Sequence, residues 1–302
     1  MFFRYPGGKR KVKQEILHAI MENYRNTQNK KHEYREPFFG GGSIGVNLLS
    51  KQNIDSFWFN DYDVSLSCLW TSVMQYPKDL CDRVRAFVPS TDEFYKIKKN
   101  LLNLSRKEAL DKMSKDPVDL GFQKLAIHQI SYSGLGTKSG GPLGGEKQKS
   151  KYNISCRWNP KNITKKIIEC SDLFGLNTIR NNGCTSVDFL DMFDDESPCF
   201  FYLDPPYYDK GTELYQFSFT TNDHERLRNA LKECPNPWLL SYDDCDEIRK
   251  LYDWAVCQEI DMTYTINTSR SKKELLIVPK EHSYLLQTQT NINTPPELNK
   301  LF

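Results

Sequence analysis

The stretch that most constrains this chain is Cys199-Phe200-Phe201-Tyr202-Leu203-Asp204-Pro205-Pro206-Tyr207-Tyr208. Strand-favouring, largely apolar residues run without a charged interruption, and two prolines then end the run. A strand buried on both faces of a sheet reads this way, and proline has no N–H to give to a sheet ladder. The run therefore predicts a central strand ending at Asp204. In open α/β sheets ligands bind outside the carboxyl ends of the strands, which makes Asp204 a candidate site residue. Pro205 and Pro206 fix φ and offer no N–H, so the turn presents carbonyl oxygens. With the Asp204 carboxylate beside them it forms a row of acceptors, suited to a substrate with two donors on one atom, such as an exocyclic amine. Tyr207 adds an aromatic face that can stack on a planar ring. The same residues are also ordinary turn chemistry.

Two earlier stretches fit the same sheet. Glu33 to Glu36 reads as a short strand, followed by Pro37-Phe38-Phe39-Gly40-Gly41-Gly42-Ser43 and an amphipathic helix, with Ser43 as its expected N-cap. Glycines let the backbone approach a ligand, and N–H groups at a helix start point toward it. Gly40, Gly42 and Gly45 also satisfy Gly-x-Gly-x-x-Gly, so the pattern leaves a nicotinamide enzyme open. Phe57-Trp58-Phe59-Asn60-Asp61-Tyr62-Asp63 predicts a second strand ending in acid. It follows the glycine turn by about 20 residues, the separation expected of a carboxylate that binds ribose hydroxyls. Asp61 and Asp63 both qualify, and a surface turn acid is the plain alternative.

The rest of the chain supplies loops, helices and charge. Arg4-Tyr5-Pro6-Gly7-Gly8-Lys9 reads as a tight loop before a helix reaching about Tyr24. Helical periodicity dominates from Ser65 to Gln129, with a start at Thr91-Asp92-Glu93. Residues 131–166 change character. Net charge is only +2 over 302 residues, yet between Thr137 and Lys166 eight basic side chains face Glu146 alone, so any nucleic-acid affinity is concentrated there. Lys138, Lys147, Lys149, Lys151 and Arg157 interleave with Tyr132, Tyr152 and Trp158, a pattern suited to phosphate contacts and base stacking, or to a solvated loop. Val187-Asp188-Phe189 precedes the central strand, and Asp188 is equally well read as a helix cap. Lys210 to Phe219 reads as a flap, and Asp223-His224 as a helix start with a structural histidine. Trp238–Asp243, 255–263 and Glu274–Pro279 read as further strands, the last two an antiparallel pair. Residues 286–302 read as a frayed tail. Nine scattered cysteines without a Cys-x-x-Cys pair argue for a reducing cytoplasm and against a zinc site, and no apolar run approaches membrane-spanning length.

Taken in order, these motifs resemble the Dam-like (D12 class, α-group) DNA adenine-N6 methyltransferases. Tyr5-Pro-Gly-Gly-Lys9 is similar to their amino-terminal loop, Glu36-Pro-Phe-Phe-Gly-Gly-Gly42 to their donor-binding turn, and Asp204-Pro-Pro-Tyr207 to their catalytic motif. The resemblance implies an α/β fold, a Rossmann-like methyltransferase sheet with helices on both faces. It adds a smaller, mainly helical and loop recognition domain at 71–169, with 1–70 and 170–285 forming the catalytic domain. It implies S-adenosyl-L-methionine as methyl donor, held by Tyr5, Lys9, Glu36, Phe38, Gly40, Gly42, Asp61, Asp188, Phe189 and Asp204. There Phe38 would line the donor pocket, Gly40 and Gly42 would leave room for the donor, and Asp188 and Phe189 would contact its adenine. Asp204 and the Pro205 carbonyl, in the turn completed by Pro206, would accept the two N–H bonds of a flipped adenine while Tyr207 stacks on it. Lys9, Tyr132, Lys138, Lys147, Lys149, Lys151, Arg157 and Trp158 would contact double-stranded, sequence-specific DNA. No metal or membrane is implied, and a cognate restriction endonuclease is an open partner. The 131–166 stretch departs from the recognition loop of GATC-specific members. Cytosine N4, RNA adenine and a catalytically dead DNA-binding protein stay open as alternatives.

Overall fold

Successive side chains along each strand enter two different cores, and that alternation organises the molecule. The computed structural model describes residues 3–6, 9, 12–26, 33–49, 54–195, 197–262 and 272–286. Within them one sheet holds β1 (Glu33–Glu36), β2 (Ser56–Phe59), β3 (Cys199–Leu203), β4 (Trp238–Asp243), β5 (Val256–Met262) and β6 (Lys272–Val278), in spatial order β2-β1-β3-β4-β6-β5. The first four run parallel, and β6 is antiparallel to both β4 and β5. The helices are α1 (Lys13–Asn26), α2 (Gly45–Leu48), α3 (Val64–Gln75), α4 (Pro77–Ala86), α5 (Thr91–Asn103), α6 (Arg106–Lys115), α7 (Pro117–Ile130), α8 (Pro160–Gly175), α9 (Gly211–Leu214), α10 (Thr221–Glu233) and α11 (Asp246–Leu251).

On β3, Phe200 and Tyr202 join the core built with α1 and α3 to α8, while Cys199, Phe201 and Leu203 join the core under α10 and α11. All five are buried, which is why the sequence of this strand carries no polar face. The expected sheet with helices on both faces is present. β1 pairs with β2 on one side and β3 on the other, so the strand order reverses between β1 and β3. Their carboxyl ends open a crevice there, with Glu36 ending β1 and Asp204 following β3.

α7 is buried on almost every side and crosses α3 closely. A β-carbon at Gly121 would lie 2.7 Å from the Leu69 backbone. Gly121→Ala is therefore expected to destabilise the fold by about 1–3 kcal/mol, read as a lower urea midpoint. An unchanged midpoint would mean that the two helices separate freely.

Two local expectations differ. Ser43 does not cap α2, whose first turn follows Ile44 without a side-chain cap; the Ser43 carbonyl instead accepts from Asn47. α5 starts at Thr91 as expected, with Ser90 as its N-cap. Leu286, placed in the tail, ends a 3-10 helix Lys280–Leu286. Gly7, Gly8 and residues 287–302 lie outside the described residues.

Candidate active site

The crevice is a cavity of about 400 Å³, in the range of small-ligand sites. Its walls come from every motif along the chain: Tyr5, the turn after β1, the end of β2, α7, Asp188-Phe189, the end of β3 and the flap at 214–219.

At one end, Phe38, Phe189 and Phe219 meet with ring centroids 5.4–5.6 Å apart. Asp188 is a cap after all, accepting from the Leu190 N–H, and its other oxygen pairs with Arg226 at 3.0 Å. It also lines the cavity, so the cap and site readings are compatible. Asp61 and Asp63 divide their tasks. Asp63 caps α3 and pairs with Lys124. Asp61 lines the cavity, accepts from the N–H groups of Gly40 and Asp63, and is pushed up to about 7 by burial and by Asp63. Gly40 has φ +50° and leaves room for the Tyr5 ring, 3.1 Å from where a β-carbon would sit. Gly42, at φ +68°, does not line the cavity; a β-carbon there would strike the Trp70 ring at 2.6 Å. Its expected role, leaving room for the donor, becomes one of packing.

At the other end, Asp204 reaches the cavity with its side chain 22% exposed. Its Oδ1 accepts from Lys9 Nζ at 2.7 Å and Ser241 Oγ at 3.3 Å. Oδ2 has no protein partner among the described residues. Lys9 is fully buried and also bonds Glu274 and, at 3.0 Å, the Tyr207 hydroxyl. Burial alone would lower the Lys9 pKa, but Asp204, Tyr207 and Glu274 hold it well above its ordinary value. Burial pushes both Asp204 and Glu274 up, against the ammonium beside them.

Several expected DNA or substrate contacts are corrected by burial. Lys9 is enclosed by its acidic partners and cannot reach a phosphate. Trp158 is 8% exposed, wedged edge-on against Phe87 and Phe122, and cannot stack on a base. Tyr207 does not line the cavity, because its hydroxyl is drawn toward Lys9 and Glu274 and its ring is met edge-on by Tyr215. Pro205 is buried and Pro206 lines the wall. Tyr132, Lys138, Lys147, Lys149, Lys151 and Arg157 are exposed. The flap lies across the cavity and is tied to the 131–145 loop by a 2.9 Å bond from Thr137 to Gln216. His224 is buried, held by Tyr242 and pushed down to about 4 by burial, so it is neutral and structural.

Sequence reasoning missed Glu274, Lys124 and His128. Lys124 and His128 sit among buried residues of α7 and Glu274 borders the apolar run of β6, and a buried polar or charged group needs a partner. That signal was legible, though the partners were not.

The family model for D12 class N6 adenine-specific DNA methyltransferases matches residues 5–266. The chain belongs to this family. Its family activity is donor-dependent methylation of adenine in DNA. The chain is also similar to the type II methyltransferase M.CviBI of Paramecium bursaria Chlorella virus NC1A, 34% identical over 79 residues. That alignment spans 26% of this chain and 30% of the relative, so the chain matches less than a third of the relative's length. No helix among the described residues is long and apolar enough to cross a membrane.

The cavity suits a cationic ligand. Buried Glu36 and half-buried Asp61 and Asp204 line it, each with its pKa raised by removal from solvent. For Glu36 and Asp61 a neighbouring carboxylate adds to that rise. A positively charged ligand between them would offset that repulsion.

Proposed function

We propose that this chain transfers a methyl group from S-adenosyl-L-methionine to N6 of adenine at specific sites in double-stranded DNA. The observation that carries the reading is Asp204. It lines the cavity at the strand-order reversal, beside a proline turn, with Oδ2 free of protein partners among the described residues, and the aromatic and acidic end lies in the same cavity. The donor supplies a methyl group on a sulfonium. Asp61 would hold ribose hydroxyls; Phe38 and Phe189 would pack on the adenine, with Asp188 accepting its amine.

Adenine N6 is a weak nucleophile because its lone pair is delocalised into the ring. Asp204 Oδ2 and the Pro205 carbonyl accept its two N–H bonds, which localises the lone pair as positive charge develops on N6. Acceptors aimed at charge that forms in the transition state act on the rate of the chemical step. The target base leaves the duplex to reach them, and the flap must lift to admit it. Tyr5 and Tyr215, which line this end of the cavity, take over the stacking role expected of Tyr207.

Residues 71–169 are assigned target recognition, and 1–70 with 170–285 donor binding and chemistry. α7 belongs to the first by sequence and walls the cavity of the second. The type II name of the viral relative supports a place beside a restriction endonuclease, and the free cysteines support a reducing cytoplasm. Tritiated methyl transfer to DNA, followed by nucleoside mass spectrometry, tests the reading. N6-methyladenine is expected; N4-methylcytosine, methylated RNA alone, or no transfer would overturn it.

The exposed basic loop gives a second expectation. Replacing Lys147, Lys149, Lys151 and Arg157 together by Ala should flatten the salt dependence of DNA affinity by up to about 0.9 in log–log slope for each phosphate no longer neutralised. The single-turnover rate at saturating DNA should change little. Fluorescence anisotropy across a salt series checks this, and an unchanged slope removes the loop from the DNA interface.

A further inference from the structure

Glu274 projects from β6 into the cluster at Asp204, although nothing in the proline-turn motif requires it. It is 2% exposed and immediately precedes the apolar run Leu275, Leu276, Ile277 and Val278 of the strand. One oxygen meets Lys9 Nζ, and the other, Oε2, is buried without a partner. A carboxylate in that position is costly unless its charge has a use. Lys9 has three N–H donors and spends them on Asp204, Glu274 and Tyr207. With both acids ionised the cluster holds two carboxylates around one ammonium, a net charge of −1.

We propose that Glu274 is a positioning residue for methyl transfer, acting through Lys9 to keep Asp204 able to take up the proton that adenine N6 releases. This rests on the methyltransferase reading of the site. N6 gains a bond to carbon as the carbon–sulfur bond breaks and leaves its electron pair on sulfur. N6 then carries a positive charge, which is discharged when one N–H proton passes to Asp204 Oδ2. With Glu274 present, that proton brings the cluster from −1 to 0. Without its charge, Asp204 is already neutralised by Lys9, and the same proton would leave a buried positive cluster.

The groups facing Glu274 make the pH argument specific. Lys9, Tyr207 and Asp204 surround its carboxylate, Tyr202 of β3 and Tyr215 of the flap lie nearby, and Ile260 of β5 sits across the ladder. Asp243 is its ladder partner on β4, but that carboxylate accepts from the N–H groups of Tyr208 and Asp209. Sharing one ammonium makes each carboxylate easier to protonate. Removing one of them makes Asp204 harder to protonate.

Glu274→Gln should lower the single-turnover plateau on the order of 10–100-fold, the size usual for an outer partner of a reacting group. It should also move the acidic limb of the pH–rate profile to lower pH, with the KM for methyl donor unchanged. Glu274→Asp, which keeps the charge, should leave the limb near its wild-type position. A lower plateau with an unmoved limb would reduce Glu274 to a structural residue, and an unchanged plateau would also overturn the proposal. If Glu274→Gln fails to fold, ¹³C-carboxyl titration of the wild-type protein decides. Asp204 and Glu274 should titrate through shared steps, and independent titration would overturn the idea. Wild-type protein that methylates no DNA would instead fail the functional reading, whatever the titration gives.

Discussion

Asp204→Asn is expected to lower the single-turnover methylation rate by about 10²–10³-fold while leaving the fold at least as stable as the wild type. The two halves of that result have one cause. Burial opposes the charge of Asp204 and raises its pKa against Lys9, close to the buried acids Glu36 and Glu274. On the proposed reading its carboxylate serves N6 of the incoming base and not the packing of the sheet. Neutralising it leaves Lys9 paired with Glu274 and bonded to Tyr207, so no buried cation is stranded. The crowding of negative charge around the cavity falls. Sites built for chemistry commonly give up stability in this way. Single-turnover kinetics and thermal denaturation on the same preparation check both halves. A variant that keeps most of its rate would remove Asp204 from the chemistry. A sharp loss of stability would make it a structural acid.

The backbone was more legible than the side-chain network because local chemistry writes the backbone. The uninterrupted apolar run of β3 could only be a doubly buried strand, and the two prolines marked its end. The glycine turn after Glu36 and the acid after Phe59 followed from strand endings about 20 residues apart. The β5–β6 pair was also expected, β6 from its apolar run at 275–278. The site's electrostatics were not. Lys9 and Glu274 are 265 positions apart, and no periodicity links them. Trp158 looked like a stacking platform because lysines flank it in sequence, yet chain direction at the start of α8 turns the ring onto Phe87 and Phe122. Tyr207 carries an aromatic face suited to a base, but its hydroxyl finds two buried partners, and those bonds decide where the ring lies. Composition and spacing report which groups are available. Which of them consume one another is settled by tertiary packing.

Lys124→Met should be more destabilising than any substitution named above, by about 3–5 kcal/mol at neutral pH. Lys124 rises from α7 to meet Asp63, and the two are 2% and 6% exposed. Asp63 also takes the Ser65 hydroxyl and the N–H groups of Ser65 and Leu66, so it anchors the start of α3. Burial would raise its pKa, but Lys124 and these donors hold it below its ordinary value. A depressed carboxylate contributes stability that is present above its unfolded pKa, near 3.9, and is lost as pH falls through its folded value. Methionine matches the lysine stem in length but leaves the Asp63 charge buried without a counterion. The deficit of the mutant should therefore be largest at neutral pH and shrink toward pH 4, as Asp63 takes up a proton. Adding Asp63→Asn should recover part of the loss, because a pair removed together strands no charge. Urea titrations at pH 7.5 and pH 4.5 on both single mutants and the double mutant separate these effects; a deficit independent of pH would mean the packing of Lys124, not its charge, is what matters. The pair also reaches the site. Asp63 raises the pKa of Asp61 and Lys124 lowers it, so losing the lysine pushes Asp61 further toward its neutral form. A neutral Asp61 is a poorer acceptor for ribose hydroxyls, and calorimetry should find methyl-donor binding weakened even in the fraction of Lys124→Met that remains folded.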